Sequence, residues 1–462
     1  MLDERLNRRK LLALIGATGV GTVAFRAYSD GGRSRESGPR SETPTPQATD
    51  EPRSSTPDSR QSQTDDPSVV DIRQFGARVD GQTDDTPAIR RALDAVHPGG
   101  ILQFPPGDIV IDSPEDVRAA ISLTDQHRNV TIRGSVDGET RSTLHMAPNQ
   151  EHVHYAFHVT GDGLKASDEI SIRNVTIDLH SEQQDTVGTA IRTNGSNGTF
   201  SLRNCRIMRT RNSGIKMVGG MDGDIQDCRF EDNGVVAYGH AISPKQATRK
   251  TTTTIRNVVC TNQRGVSIDV GKGRNGDKQT VHIEQCVLKD SIGGIKINPT
   301  AAAVTIKNTQ ILGGESTTIP VKMNPYDYYM GTVELDNVLI DGGGWPGIDF
   351  PNATALELHD VAIKNVDKNN ESRGRDRGGI RTDELDFGSS GRISIHNVGV
   401  NNEGPALKIF EGSGSIAEVR HDGTGGLGQT EGVTVRADRQ GEPPLEPDIP
   451  TESEVGLADH SV

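Results

Sequence analysis

Nine outward-facing positions recur down the chain at one place in a repeat, and six of the nine carry a cation. They are found by aligning the third short strand of each repeat on its first apolar residue. The next residue must then point out. The column reads Arg192, Lys216, Ser243, Ser267, Lys296, Lys322, Asp349, Arg381 and Lys408. Two residues further on, a second column reads Asn194, Val218, Lys245, Asp269, Asn298, Asn324, Pro351, Asp383 and Phe410. Like charges on adjacent strands, about 5 Å apart, repel one another. Acidic neighbours or an anionic ligand lying along the column would offset that repulsion. A chain of uronate sugars is such a ligand.

The chemistry such a face could perform is removal of the proton beside a sugar carboxylate. That step needs a base, and a cation to neutralise the carboxylate and the enolate-like intermediate. Lys296 or Lys322 is the expected base or neutraliser, and Asp269 completes the expected catalytic set. Lys216, His240, Asp349 and Arg381 are expected to bind substrate. So are the rings of Tyr326 and Trp345, which offer apolar area for stacking on sugar faces. Ca²⁺ is the one cofactor considered, held by Asp269 and Asp349. No Cys-x-x-Cys spacing suggests a metal site, and no dedicated metal-ligating residues are assigned. A hydrolase would instead need two carboxylates within about 5 to 9.5 Å. Asp269 and Asp349 stand three repeats apart, roughly 14 Å at strand spacing.

The elements that must position these residues are written nine times. The copies are Ile170–Asn174, Phe200–Asn204, Gly223–Asp227, Thr253–Asn257, Val281–Gln285, Val304–Asn308, Val333–Asn337, Leu356–Asp360 and Ile393–Asn397. Each is a period-2 strand closing on Asn, Asp or Gln. A second run follows, such as Val175–Asp178, and then a small residue and the third strand, as in Gly294–Ile297. The closing positions step by 30, 23, 30, 28, 23, 29, 23 and 37 residues. Three strands per irregular period predict a right-handed parallel β-helix, an all-β solenoid with variable loops. The closing Asx residues should stack as a ladder at its first corner.

Before the repeats lie Phe75-Gly76-Ala77, Asp80-Gly81, Asp84-Asp85-Thr86 and Ile101–Gly107. Asp85 or Thr86 can cap a helix carrying Pro87 in its first turn. Ile89, Ala92, Leu93 and Val96 give it one apolar face, which would cover the open end of the solenoid. This ordered set of motifs resembles the N-terminal signature of the pectate-lyase superfamily. The superfamily includes rhamnogalacturonase-like and polygalacturonase-like enzymes, polysaccharide lyases and phage tailspikes. The resemblance implies a right-handed parallel β-helix. It covers about forty residues of the capping region and leaves the reaction open. Gly265–Gly271 followed by Gly294–Ile297 is similar to the polygalacturonase Gly-His-Gly and Arg-Ile-Lys segments, with Lys296 matching the second cation. Gln263 and Arg264 stand where that family carries its histidine. His240 lies one repeat early and is read as a corner residue.

Composition sets further bounds. A net charge of −14 argues against nucleic acid as a partner. Lysine supplies only fourteen of the 50 basic residues, and aromatics make up 3%. Together these suggest adaptation to salt. Cys205, Cys228, Cys260 and Cys286 are expected to be buried thiols. In-register parallel strands point neighbouring Cβ atoms the same way, which opposes a disulfide. Residues 1–28 carry Arg8-Arg9-Lys10 ahead of an apolar run, the pattern of a twin-arginine export signal. That run is short for a stable membrane span. Residues 29–67 read as a disordered linker, 68–436 as the β-helix and 437–462 as a disordered tail. The sequence thus predicts an exported, extracellular or cell-surface protein that binds and cleaves an acidic polysaccharide by elimination or hydrolysis. The alternative is a non-catalytic glycan-binding or cell-surface module.

Overall fold

Apolar residues at every second position of short strands, separated by Asx or Gly corners, have one way to bury their apolar side: the strands must coil around it. The computed structural model describes residues 68–456, interrupted at 113–117, 136–139, 149–154, 181–187, 235–238, 272–278, 299–300, 315–318, 324–330, 353–354, 369–377, 399–402 and 423–424. The export signal and linker expected over residues 1–67 lie outside the described residues. So does Tyr326.

The fold is the right-handed parallel β-helix that the repeats predict. Strand ladders run parallel along three faces. The first face takes in Glu169–Arg173, Thr199–Arg203 and the start of Asp222–Glu231. The second takes in Val175–Asp178, Arg206–Met208 and Val287–Lys289. The third takes in Thr189–Thr193, Ile215–Gly219, Ile242–Ala247, Val266–Val270 and Gly293–Ile297. Between them runs one continuous core of stacked Ile, Val and Leu, with Phe104, Phe157, Phe200, Phe230, Phe350 and Phe387 fully buried. Each such side chain contributes roughly 1.5–3 kcal/mol.

The corner logic holds. All nine closing residues sit in the left-handed region, with φ between 49° and 61°. Asn and Asp tolerate this conformation better than other residues with a Cβ. Their side chains bond from coil to coil: the Asn204 Nδ2 donates to Asn174 Oδ1 at 2.9 Å, and Asn337 Nδ2 to Asn308 Oδ1 at 2.7 Å. The ninth copy is displaced. Ile393–His396 pairs with Val361–Lys364 on the second face, and Asn397 bonds Asn365 there. The 37-residue final step reflects this change of face.

The helix Thr86–Ala95 buries Ala88, Ile89, Ala92 and Leu93 at the N-terminal end of the core. Asp85 stands at its N-cap but does not cap it. Its carboxylate instead accepts from the backbone N–H of Arg78 at 2.7 Å and of Val79 at 3.1 Å, and so pins the preceding loop. The four cysteines are buried free thiols, as expected. Burial pushes Cys205 and Cys286 up to about 12.

The tail differs from its sequence reading. Residues 441–456 lie along the outside of the coils instead of being disordered. Gln310 donates to the Pro450 carbonyl at 3.1 Å, and Asn337 to that of Asp448 at 2.7 Å. Glu452 pairs with Lys289 and Arg229. Val455 covers Val259 and Val287, which form a small apolar cluster apart from the main core. Those outward valines give a polar, Pro-rich segment a reason to dock.

Candidate active site

The third face carries the cationic column, with one correction. Ile268 pairs with Ile295 and Asp269 with Lys296, so the column runs Lys216, Ser243, Asp269, Lys296, Lys322, Asp349, Arg381, Lys408. Ser267 does not belong to it; its hydroxyl bonds Ser291 at 2.9 Å, away from the face. Both aspartates therefore interrupt the row of cations. Charge alternation offsets the repulsion that the sequence alone left open.

Asp269 is the centre of the denser cluster, only 1% exposed. Its Oδ2 takes the His240 Nε2 at 2.8 Å and the Lys245 ammonium. Its Oδ1 accepts from Asn298 Nδ2 at 2.8 Å. Asn298 is itself fixed by the carbonyls of Val270 at 2.7 Å and Gly271 at 3.0 Å. Burial alone would raise the Asp269 pKa. The His240 hydrogen bond and the charges of Lys245 and Lys296 outweigh it and hold the carboxyl well below the ordinary range. Asp269 is therefore ionised near neutral pH.

His240 lies at the corner between two coils, as its sequence position suggests. It precedes the strand Ile242–Ala247, and the Val266 N–H donates to its Nδ1 at 3.2 Å. That contact assigns the ring proton to Nε2, which donates to Asp269. Burial lowers the pKa of His240 despite Asp269, so the ring is neutral near pH 7. Gly265 makes room for it: a Cβ there would stand 2.8 Å from His240 Nδ1 and 2.1 Å from the Gly239 carbonyl oxygen.

Lys245 reaches Asp269 through a backbone irregularity. Met217 pairs with Pro244 but Val218 with Gln246, so Lys245 is the extra residue of a bulge. A bulge re-aims a side chain that regular alternation would have placed elsewhere. Burial, with Lys296 and Lys216 opposing a further positive charge, outweighs Asp269 and lowers the Lys245 pKa to about 8. The buried Ser243 hydroxyl, between Lys216 and Asp269 in the column, has no hydrogen-bond partner among the described residues.

The other expected residues fall into a second group. Lys322 stands in register between Lys296 and Asp349, and Arg381 donates to Asp349 Oδ1 at 3.0 Å. Trp345 lies half-buried in the turn before that strand, its carbonyl accepting from the Asp367 N–H at 2.8 Å. Asp269 and Asp349 remain three coils apart. Asp269, Lys296, Lys216 and His240 are thus brought together, and Lys245 and Asn298 join them. Lys322, Asp349 and Arg381 form a separate patch along the same face.

Residues 69–288 match the family described as Rhamnogalacturonase A/epimerase, pectate lyase-like. Among solved structures, the chain is similar to the A-module of the mannuronan C-5 epimerase AlgE6 of Azotobacter vinelandii. The identity is 15% and the TM-score 0.53, covering 81% of this chain and 99% of that one. It is also similar to the Agl-KA catalytic domain, at 13% identity and TM-score 0.53, covering 80% of this chain and 68% of that one. No curated protein matches the chain by sequence. At such identities these likenesses concern the fold.

Proposed function

We propose that this chain, whose β-helix domain belongs to the pectate-lyase superfamily, acts on an acidic polysaccharide by removing the proton beside a uronate carboxylate. The observation that carries the reading is Lys245: a buried amine with its pKa lowered to about 8, held against an ionised aspartate and flanked by two further lysines. Such an amine is partly unprotonated near neutral pH and can accept a proton from carbon. The match to a family described as epimerase and pectate lyase-like, and the likeness to a mannuronan C-5 epimerase, are compatible with this chemistry.

In the proposed reaction the uronate carboxylate lies beside Lys216, with the neighbouring Ser243 hydroxyl donating to it. Lys245 takes the C5 proton, and the electron pair moves into the carboxylate, whose growing charge Lys216 balances. Two outcomes follow. The bond from C4 to the glycosidic oxygen breaks, C4=C5 forms and the leaving oxygen takes a proton, which is elimination. Alternatively C5 is reprotonated from the opposite face, which is epimerisation. Asp269 and His240 position Lys245. Lys322, Asp349 and Arg381 would hold neighbouring sugars. Hydrolysis fits less well, because Asp269 is held ionised with both oxygens engaged and Asp349 is about 14 Å away at strand spacing. Ca²⁺ fits poorly too. Asp269 and Asp349 stand three coils apart, roughly 14 Å at strand spacing, too far to share one ion, so no step is routed through it. The twin-arginine pattern at Arg8-Arg9-Lys10 supports an activity outside the cytoplasm.

The test is a product assay on pectate, alginate and other uronate glycans, in low and high salt, with and without Ca²⁺. Conjugated ultraviolet absorbance is expected from elimination, or a changed C5 configuration by NMR from epimerisation. Reducing ends with neither signal would point to hydrolysis. Retention on an acidic glycan column with no product would leave the binding-module reading.

A further inference from the structure

The second face carries a cluster that the chemistry above does not use. His145, on the strand Ser142–Met146, and Asp178, on Val175–Asp178, are register partners on consecutive coils. His180 follows at the corner. His145 Nδ1 and His180 Nε2 face each other at 2.9 Å, and Asp178 Oδ2 lies 3.8 Å from the same His180 nitrogen. All three donor atoms fit within 4.8 Å of one another.

We infer that His145, Asp178 and His180 bind one divalent transition-metal ion, which ties two consecutive coils together. Two imidazoles and one carboxylate suit Zn²⁺ or its neighbours, where Ca²⁺ and Mg²⁺ prefer oxygen alone. An ion about 2.0–2.1 Å from each donor spaces tetrahedral donors about 3.3–3.4 Å apart, between the two separations found.

Three surrounding features are those of a built site. The other nitrogen of His145, Nε2, lies 3.0 Å from Asp108 Oδ1. A metal-bound histidine commonly donates its second N–H to a carboxylate, which fixes the tautomer and leaves the facing nitrogen free to ligate. Next, His180 sits in the left-handed region, with φ 45°, two residues past Asp178 at the end of its strand. Its ring faces that of His145, with centroids 5.1 Å apart. Finally, Asp178 is 4% exposed and fixed from behind: Arg209 Nε donates to Oδ1 at 2.8 Å, the other Arg209 donor engages Oδ2, and the His180 N–H reaches Oδ1 at 3.2 Å. A carboxylate offers about four lone-pair sites, so these bonds leave capacity for an ion.

The experiment is a calorimetric titration of the chelator-treated full chain with zinc chloride alone, with cobalt chloride read by visible absorption as a second probe. The expected result is one ion per chain, cobalt bands of a low-coordinate nitrogen–oxygen site, and a Tm that rises with zinc concentration. His145→Ala combined with His180→Ala should abolish all three. Asp108→Asn should weaken binding about 10- to 100-fold, with circular dichroism confirming the β-helix in each variant. No binding by the wild-type chain would overturn the inference and leave a histidine–histidine hydrogen bond. Wild-type binding retained in the double variant would overturn it as well, by placing the ion elsewhere.

Discussion

Replacing Lys245 with alanine is expected to lower kcat on an acidic glycan by about 10²- to 10⁴-fold, the range that a positioned base supplies. Binding of the same glycan should change only a few-fold, because Lys216 and Ser243 remain to meet the carboxylate. The wild-type pH profile should carry the same signature. Lys245 accepts a proton only as the free amine, so kcat/KM should rise with pH through about 8 and then level off. A Lys245→Arg variant keeps the charge but cannot deprotonate, and should be as inactive as alanine. If Lys245→Ala retained turnover and lost binding instead, Lys245 would be a substrate clamp and the base would lie elsewhere.

Replacing Asp269 with alanine is expected to cost about 3–5 kcal/mol, because removing one partner leaves the other charge buried and unpaired. Apparent Tm should fall and turnover should be lost with it. Asp269→Asn, which keeps the shape without the charge, separates positioning from bulk. In that variant Lys245 sits beside Lys216 and Lys296 with no anion, so its pKa must fall below about 8. Any residual activity should then reach its plateau at lower pH than in the wild type. The acid side gives a second readout. The folded carboxyl is held below its ordinary value, so its stabilisation is present above about 3.8 and fades only as pH falls through the folded value. The wild-type chain should lose that contribution in strong acid, and both variants should lack it from the start. An Asp269→Ala chain as stable and active as the wild type would dissolve the cluster as the organising centre.

The fold was legible because one corner chemistry repeats. Asn, Asp or Gln at a left-handed position closes every copy, and this shows in sequence whatever the loop length. The errors fall where the backbone departs from strict alternation. Aligning each third strand on its first apolar residue sets Ser267 beside Lys296, whereas the true partner is Asp269, two residues on. The apolar pattern Val266, Ile268 and Val270 reads the same in either register, so periodicity could not decide. Lys245 was visible in the second column, yet its meeting with Asp269 depends on a bulge at Pro244, which no period-2 template contains. A proline inside a strand was the available signal. The tail was read as disordered from composition, since what holds it is the outward Val259–Val287 pair more than 150 residues earlier. His145 and His180 lie 35 residues apart, and only the coil length brings them together.

The most direct test of the central claim is isotope exchange at C5. The full chain is incubated with a uronate oligosaccharide in D₂O and the sugar is followed by NMR. The account predicts loss of the C5 proton signal, through deuterium incorporation or elimination, at a rate that falls about 10²-fold or more in Lys245→Ala. Cleavage of the glycan with the C5 proton fully retained would contradict it.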